Sequence, residues 1–120
     1  MNLQDVRLLL VEDDAVVRTF VQGALQKIGI QQLAVCQDGQ SALAKMASFR
    51  PDIILTDIHM KPMDGAELVR QVRQLPDPAL KRARVIVMTA DSSPGTLRGI
   101  MSLGVDSYIV KPPRINDLKQ

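Results

Sequence analysis

The sequence predicts an α/β fold: one domain, with a parallel sheet of five buried strands covered by helices on both faces. Three observations lead there. Apolar runs too short for helices recur at residues 7–11, 33–36, 53–55, 85–88 and 108–110, without the apolar–polar alternation of a half-exposed strand. Segments of helical spacing, opened by capping residues, lie between them. The connections are short, as in repeated strand–helix units.

Taken in order, residues 7–11 (Arg-Leu-Leu-Leu-Val) form the first strand and run into the acidic cluster Glu12-Asp13-Asp14. From Ala15 the period turns helical. Val17, Phe20, Val21, Ala24 and Ile28 fall on an inner face, with Arg18, Gln22, Gln26 and Lys27 opposite. Asp14 caps this helix and Gly29 stops it. The second strand is 33–36. Asp38 caps a helix with Ala42, Leu43, Met46 and Ala47 inward, ended by Pro51. The third strand, 53–55, leads to Asp57 and a turn bounded by Lys61-Pro62 and Asp64-Gly65. Asp64 then caps a helix burying Leu68, Val72 and Leu75.

Residues 76–83 contain two prolines and read as a loop. The fourth strand, 85–88, ends at Thr89-Ala90-Asp91. Ser93-Pro94 is a cap followed by proline at the first helical position. The helix it opens runs to about Leu103 and carries Gly95 and Gly99, each costing about 1 kcal/mol relative to alanine. It should be the loosest helix. The fifth strand, 108–110, stops at Lys111-Pro112-Pro113, and the remaining residues give a last helix of barely two turns. Such a short helix suggests a piece of a longer protein.

At 120 residues the chain is long enough for a real core, and no composition shift marks a second domain. Aromatic residues make up 2%, which argues against stacking platforms for single-stranded nucleic acid. A net charge of +2 is too small to imply a phosphate-backbone partner. Cys36 is the only cysteine, so no internal disulfide forms and a cysteine-rich zinc site is excluded; its best reading is a core residue. No run approaches a membrane span and no signal peptide opens the chain, which points to the cytoplasm.

The chemistry collects at strand ends. Glu12 and Asp13 follow the first strand, Asp57 the third, Thr89 the fourth and Lys111 the fifth. In a parallel sheet these positions share the carboxyl edge, where ligands bind. Three carboxylates so placed repel one another unless a cation lies among them, and oxygen ligands of this kind suit Mg²⁺. A hydroxyl and an ammonium opposite would grip phosphoryl oxygens. The set describes a phosphoryl-transfer site with Asp57 as nucleophile.

On four motifs, Glu12-Asp13, the segment 57–65, Thr89-Ala90 and Lys111-Pro112, the chain resembles the receiver domains of two-component response regulators, including single-domain chemotaxis regulators. The resemblance covers essentially the whole chain. It implies a doubly wound, flavodoxin-like sheet of strand order 2-1-3-4-5. It implies that Asp57 accepts a phosphoryl group from the phosphohistidine of a sensor histidine kinase or histidine phosphotransfer protein, and that the domain itself catalyses this transfer and its own dephosphorylation. Asp13, Asp57 and the main-chain carbonyl of His59 would bind Mg²⁺ directly, and Glu12 through water. Lys111 would pair with Asp57 and then with the phosphate. Thr89 would turn inward and Tyr108 follow, reshaping the surface made by the helix from Pro94, the fifth strand and the last helix. Side chains at His59 and Asp91 would modulate the lifetime of the phosphate, and the Lys111–Pro112 peptide would be cis. No nucleic-acid or membrane contact is implied.

Two positions depart from the family pattern. Proline usually follows directly at the position after Met60, where Lys61 stands here with Pro62 next. His59 occupies a position that more often holds a small or amide residue; a solvated or water-holding histidine is its best reading.

Plainer readings exist for each residue alone. The acidic cluster would serve as helix caps, Asp57 as a turn residue, Thr89 as a strand end, and Lys111 as a solvated lysine. They would have to hold at four places at once. Two other functions compete. A haloacid-dehalogenase-type phosphatase needs a second aspartate two residues after the nucleophile, where His59 stands. A pseudo-receiver, an interaction module never phosphorylated, has no need of the intact set Glu12, Asp13, Asp57, Thr89 and Lys111.

Overall fold

The structure, a computed structural model, describes residues 3–58, 63–90 and 93–111. Its sheet consists of β1 (Arg7–Val11), β2 (Gln32–Cys36), β3 (Ile53–Asp57), β4 (Arg84–Thr89) and β5 (Ser107–Val110). All neighbours are parallel, in the order β2-β1-β3-β4-β5. The chain steps outward from β1 to β2 and then crosses back to β3. That reversal opens a crevice between the carboxyl ends of β1 and β3.

The helices are α1 (Ala15–Lys27), α2 (Gly39–Phe49), α3 (Gly65–Arg73), α4 (Pro78–Lys81) and α5 (Pro94–Met101), after a 3-10 turn at Leu3–Asp5. Alternate strand residues feed two cores. Leu9, Val11, Ile54, Val85 and Val87 pack with α2, α3 and Ile100 of α5, while Leu8, Leu10, Leu55, Met88 and Ile109 pack with α1. Fully burying a side chain such as Leu9 or Ile54 contributes about 2 kcal/mol. Burial on both faces explains why the central strands read as unbroken apolar runs. The edge strands differ: in β5 only Ile109 is buried.

The four predicted caps are present. Asp14 accepts from the amides of Val16 and Val17, Asp38 from Ser41, Asp64 from Glu67, and Ser93 from Thr96. Helix α1 ends before Gly29, whose φ of 111° belongs to the left-handed region that glycine adopts without strain. Helix α2 ends at Phe49, two residues before the expected proline, with Arg50 as its left-handed cap.

Four expectations are corrected. Residues 76–83 are not all loop: Asp77 caps the short helix α4, with Pro78 at its first turn. A cap followed by proline is the same start signal as Ser93-Pro94; the proline opens the helix instead of breaking it. Phe20 is 51% exposed, while Leu25 is buried. Both border the stripe of Val17, Val21, Ala24 and Ile28, on opposite sides, and α1 is rolled toward Leu25. Ala47 is likewise exposed, and Phe49 packs against the core in its place. Helix α5 also stops at Met101, two residues short of the expected Leu103.

Candidate functional site

Asp57 is the last residue of β3 and is 6% exposed. Its main chain is held from three sides. The Thr56 hydroxyl donates to the Asp57 carbonyl at 3.0 Å. The next amide, Ile58, donates to Met88 of β4 at 3.1 Å. The Ile58 carbonyl accepts from Gly65, the first residue of α3, at 2.9 Å. The strand therefore ends in a fixed direction, with its last carboxylate aimed into the crevice.

Glu12 and Asp13 lie between β1 and α1. The Glu12 amide donates to the Cys36 carbonyl at 3.0 Å, which ties it to the end of β2. Its side chain is fully buried, and one carboxylate oxygen accepts the Asp14 amide at 3.2 Å. Asp13 is exposed at the rim. The three carboxylates of Glu12, Asp13 and Asp57 each bring an oxygen within 4.8 Å of the others. Residues 45 positions apart thus form one oxygen cluster of mixed burial, chemically suited to a hard divalent cation.

Lys111 follows β5 and reaches across the sheet edge. Its Nζ lies 2.7 Å from Glu12 Oε1 and 3.1 Å from Asp57 Oδ2. Its amide donates to the Thr89 carbonyl at 2.7 Å, fixing the lysine backbone to the end of β4. The ammonium bridges two acids and is slightly closer to Glu12. This differs in emphasis from a simple Lys111–Asp57 pair.

The electrostatics follow from that sharing. Burial pushes the Glu12 carboxyl above its usual range and the nearby Asp57 charge adds to this, against the opposing pull of the Lys111 hydrogen bond and the Asp14 amide. Burial would lower Lys111, but hydrogen bonds and charge from Glu12 and Asp57 overrule it and raise the ammonium above its ordinary value. Both directions are consistent: one cation serves two acids, so it is strongly held while the more buried acid remains underserved. The Cys36 thiol is also raised, mainly by burial, and lies in the core as expected.

Thr89 ends β4, fully buried, and Tyr108 lies in β5 opposite Val87 and is 36% exposed. The structure thus brings together Glu12, Asp13, Asp57 and Lys111, with Thr89 on the same edge. His59, Asp91 and the Lys111–Pro112 peptide involve positions outside the described residues.

One contact was not foreseen. Arg18, assigned to the polar face of α1, donates to the Glu12 carbonyl at 2.9 Å and approaches the Asp13 carbonyl at 3.4 Å. A cation in the first turn of a helix opposes the macrodipole. That mismatch was the available signal.

The family profile described as "Response regulator receiver domain" matches residues 8–120. The chain is 36% identical over 106 residues to a gliding motility regulatory protein of Myxococcus xanthus, a match spanning 88% of this chain but only 13% of that protein. It is 31% identical over 115 residues to the chemotaxis protein CheY of Pseudomonas aeruginosa, covering 96% of this chain and 91% of the relative. Among solved structures, the receiver domain of the sensor histidine kinase PA1611 from Pseudomonas aeruginosa, which has a magnesium ion coordinated in its active site cleft, superposes with a TM-score of 0.84. That similarity is at 27% identity, over 95% of this chain and 91% of the other.

Proposed function

Because this chain belongs to the response regulator receiver domains of two-component signalling, we propose that Asp57 accepts a phosphoryl group from the phosphohistidine of a sensor histidine kinase or histidine phosphotransfer protein. The observation that carries this reading is the convergence of Glu12, Asp13 and Asp57 within 4.8 Å, bridged by Lys111.

The residues divide the work as follows. An Asp57 carboxylate oxygen forms the new bond to phosphorus as the phosphorus–nitrogen bond of the donor breaks, and the departing imidazole takes up a proton. Lys111, now shared between Glu12 and Asp57, follows the phosphoryl oxygens as they arrive. The Thr89 hydroxyl, on the adjoining strand end, meets another of those oxygens. Glu12, Asp13 and Asp57 fit a Mg²⁺ ion in donor type, and such an ion would neutralise the carboxylates and the developing phosphoryl charge. The main-chain carbonyl of His59 would complete the set in this reading.

Movement of Thr89 toward the phosphate draws Tyr108 with it and alters the surface of α5, β5 and the chain that follows. His59 and Asp91 tune how long the phosphate lasts. The domain is a cytoplasmic signalling element, with no substrate of its own beyond the phosphodonor. Among the described residues no helix is long and apolar enough to cross a membrane. Because the chain spans 13% of the Myxococcus relative, the output it controls is a separate matter from the chemistry of residues 1–120.

The test is intact mass after incubation with acetyl phosphate, with and without Mg²⁺, beside Asp57→Asn. One added phosphate, dependent on both the metal and Asp57, is expected. Absence of an adduct, together with no NMR response to beryllium fluoride, would replace this reading with an unphosphorylated interaction module.

A further inference from the structure

Arg18 is the fourth residue of α1, and its amide makes an i→i−4 bond of the helix's first turn, to the Asp14 carbonyl at 2.9 Å. A cation so near the amino end of a helix is electrostatically misplaced. An ordinary surface arginine would extend into water or pair with an acid. Among the described residues Arg18 forms no salt bridge, although Glu12, Asp13 and Asp14 lie four to six positions before it in sequence. Its half-buried side chain instead turns back under the β1–α1 connection, with Nη1 on the carbonyls of Glu12 and Asp13.

Those two carbonyls precede the helix and have no partner in its ladder. The Glu12 amide is already held by Cys36 and the Asp14 amide by the Glu12 carboxylate. With Arg18 added, hydrogen bonds restrain the short segment at both amides and carbonyls, so the peptide planes that set the directions of the Glu12 and Asp13 side chains are held. Both contacts come from one nitrogen, Nη1, whose N–H groups are fixed in the plane of the guanidinium, unlike the rotating donors of an ammonium.

We infer that Arg18 is a positioning residue for the acidic pair: it holds the Glu12 and Asp13 main chain so that both carboxylates face Asp57. This deepens the phosphoryl-acceptor reading and rests on it for the role of the metal. The inference has a sign that simple electrostatics does not share. Removing a nearby cation should, by charge alone, tighten Mg²⁺ binding. Removing a positioning group should weaken it.

The experiment compares the full chain with Arg18→Ala and Arg18→Lys, following Mg²⁺ titration by amide NMR and, without metal, hydrogen exchange. Arg18→Ala should bind Mg²⁺ about tenfold more weakly, the low end for groups that orient metal ligands. Arg18→Lys, which keeps the charge and a nitrogen donor on a more flexible stem but loses the planar guanidinium, should fall between. In the metal-free protein the Glu12 and Asp14 amides should lose protection in Arg18→Ala, while strand amides such as Leu55 keep theirs. Equal or tighter Mg²⁺ binding by Arg18→Ala would overturn the inference. If the unaltered chain fails to bind Mg²⁺, the phosphoryl-acceptor reading fails separately. Arg18 is then judged by exchange alone, and unchanged or fold-wide loss of protection counts against it.

Discussion

Gly65 stands so close behind Asp57 that a Cβ built on it would lie 2.4 Å from the Asp57 carbonyl oxygen and 2.8 Å from the Ile58 Cα. Both are main-chain atoms, which cannot swing aside as a flexible side chain does. The start of α3 is therefore seated directly on the backbone that presents the candidate phosphoacceptor. Gly65→Ala sets two effects against each other. Helix propensity favours alanine by up to about 1 kcal/mol, whereas overpacking costs about 1–3 kcal/mol. The clash should win. We expect a lower urea midpoint and a labelling rate by acetyl phosphate reduced up to about 100-fold, the scale of a displacement near 1 Å at a reacting group. A variant that melts and labels like the parent would disprove the seating role.

Gly23 in α1 and Gly99 in α5 are the opposite case. A Cβ at either position meets nothing within 4 Å, and neither has a positive φ. Here only the entropy of the unfolded chain and helix propensity act. Each change to alanine should stabilise by about 0.4–1 kcal/mol, and the two should add because they lie on different helices. Thermal melting of the single and double variants checks this. A fall in melting temperature for Gly99→Ala would mean that α5 needs the freedom glycine supplies.

What could be read in advance followed strong local patterns. Central strands buried on both faces left unbroken apolar runs, and Asp14, Asp38, Asp64 and Ser93 announced their helices chemically. The strand-end acids and Lys111 were legible because a parallel sheet gathers carboxyl ends whatever their sequence separation. The roll of a helix was not. Phe20 and Leu25 flank the same apolar stripe, and only packing against the sheet decides between them. Leu25→Ala should therefore cost about 2–5 kcal/mol, while Phe20→Ser should stay within about 0.5 kcal/mol of the parent. Denaturant titration of the pair measures the roll of α1. A larger cost for Phe20→Ser than for Leu25→Ala would put the inner face where the sequence alone had placed it. The shared bonding of Lys111 and the backward turn of Arg18 were also hidden, since both depend on side-chain reach across loops.

Asp77 links charge to pH. Its carboxyl is held below the usual range by the Arg50 guanidinium, 3.0 Å away, and by the amides at the start of α4. A folded-state value below the unfolded 3.8 means that the unfolded chain binds the proton more readily. The stabilisation is therefore present above pH 3.8 and lost as pH falls through the lower folded value. Asparagine can still cap the helix but cannot carry the charge. Asp77→Asn should melt below the parent at neutral pH, with the gap closing below pH 3.8. A gap independent of pH would assign the effect to capping alone.

Lys111 sets stability against metal binding. With its side chain 16% exposed, it is the one cation among the described residues that bonds both Glu12 and Asp57. Lys111→Ala leaves Glu12 fully buried without the ammonium, and breaking such a pair costs about 3 kcal/mol. Glu12, already raised by burial, should then take up a proton at still higher pH. A carboxyl raised in the folded state binds protons more readily there, so the variant should regain stability as pH falls toward the ordinary carboxylate range. Mg²⁺ should restore it too. A ligand at about 100 times its Kd adds about 2.7 kcal/mol, and losing a competing cation should make the site's affinity for the metal higher than in the parent. Labelling at Asp57 should nevertheless slow, because the Lys111 ammonium that would follow the phosphoryl oxygens is gone. Melting curves with and without Mg²⁺, read beside the labelling rate, separate these effects. A variant no more stabilised by Mg²⁺ than the parent would show that Lys111 and the metal do not answer the same carboxylates.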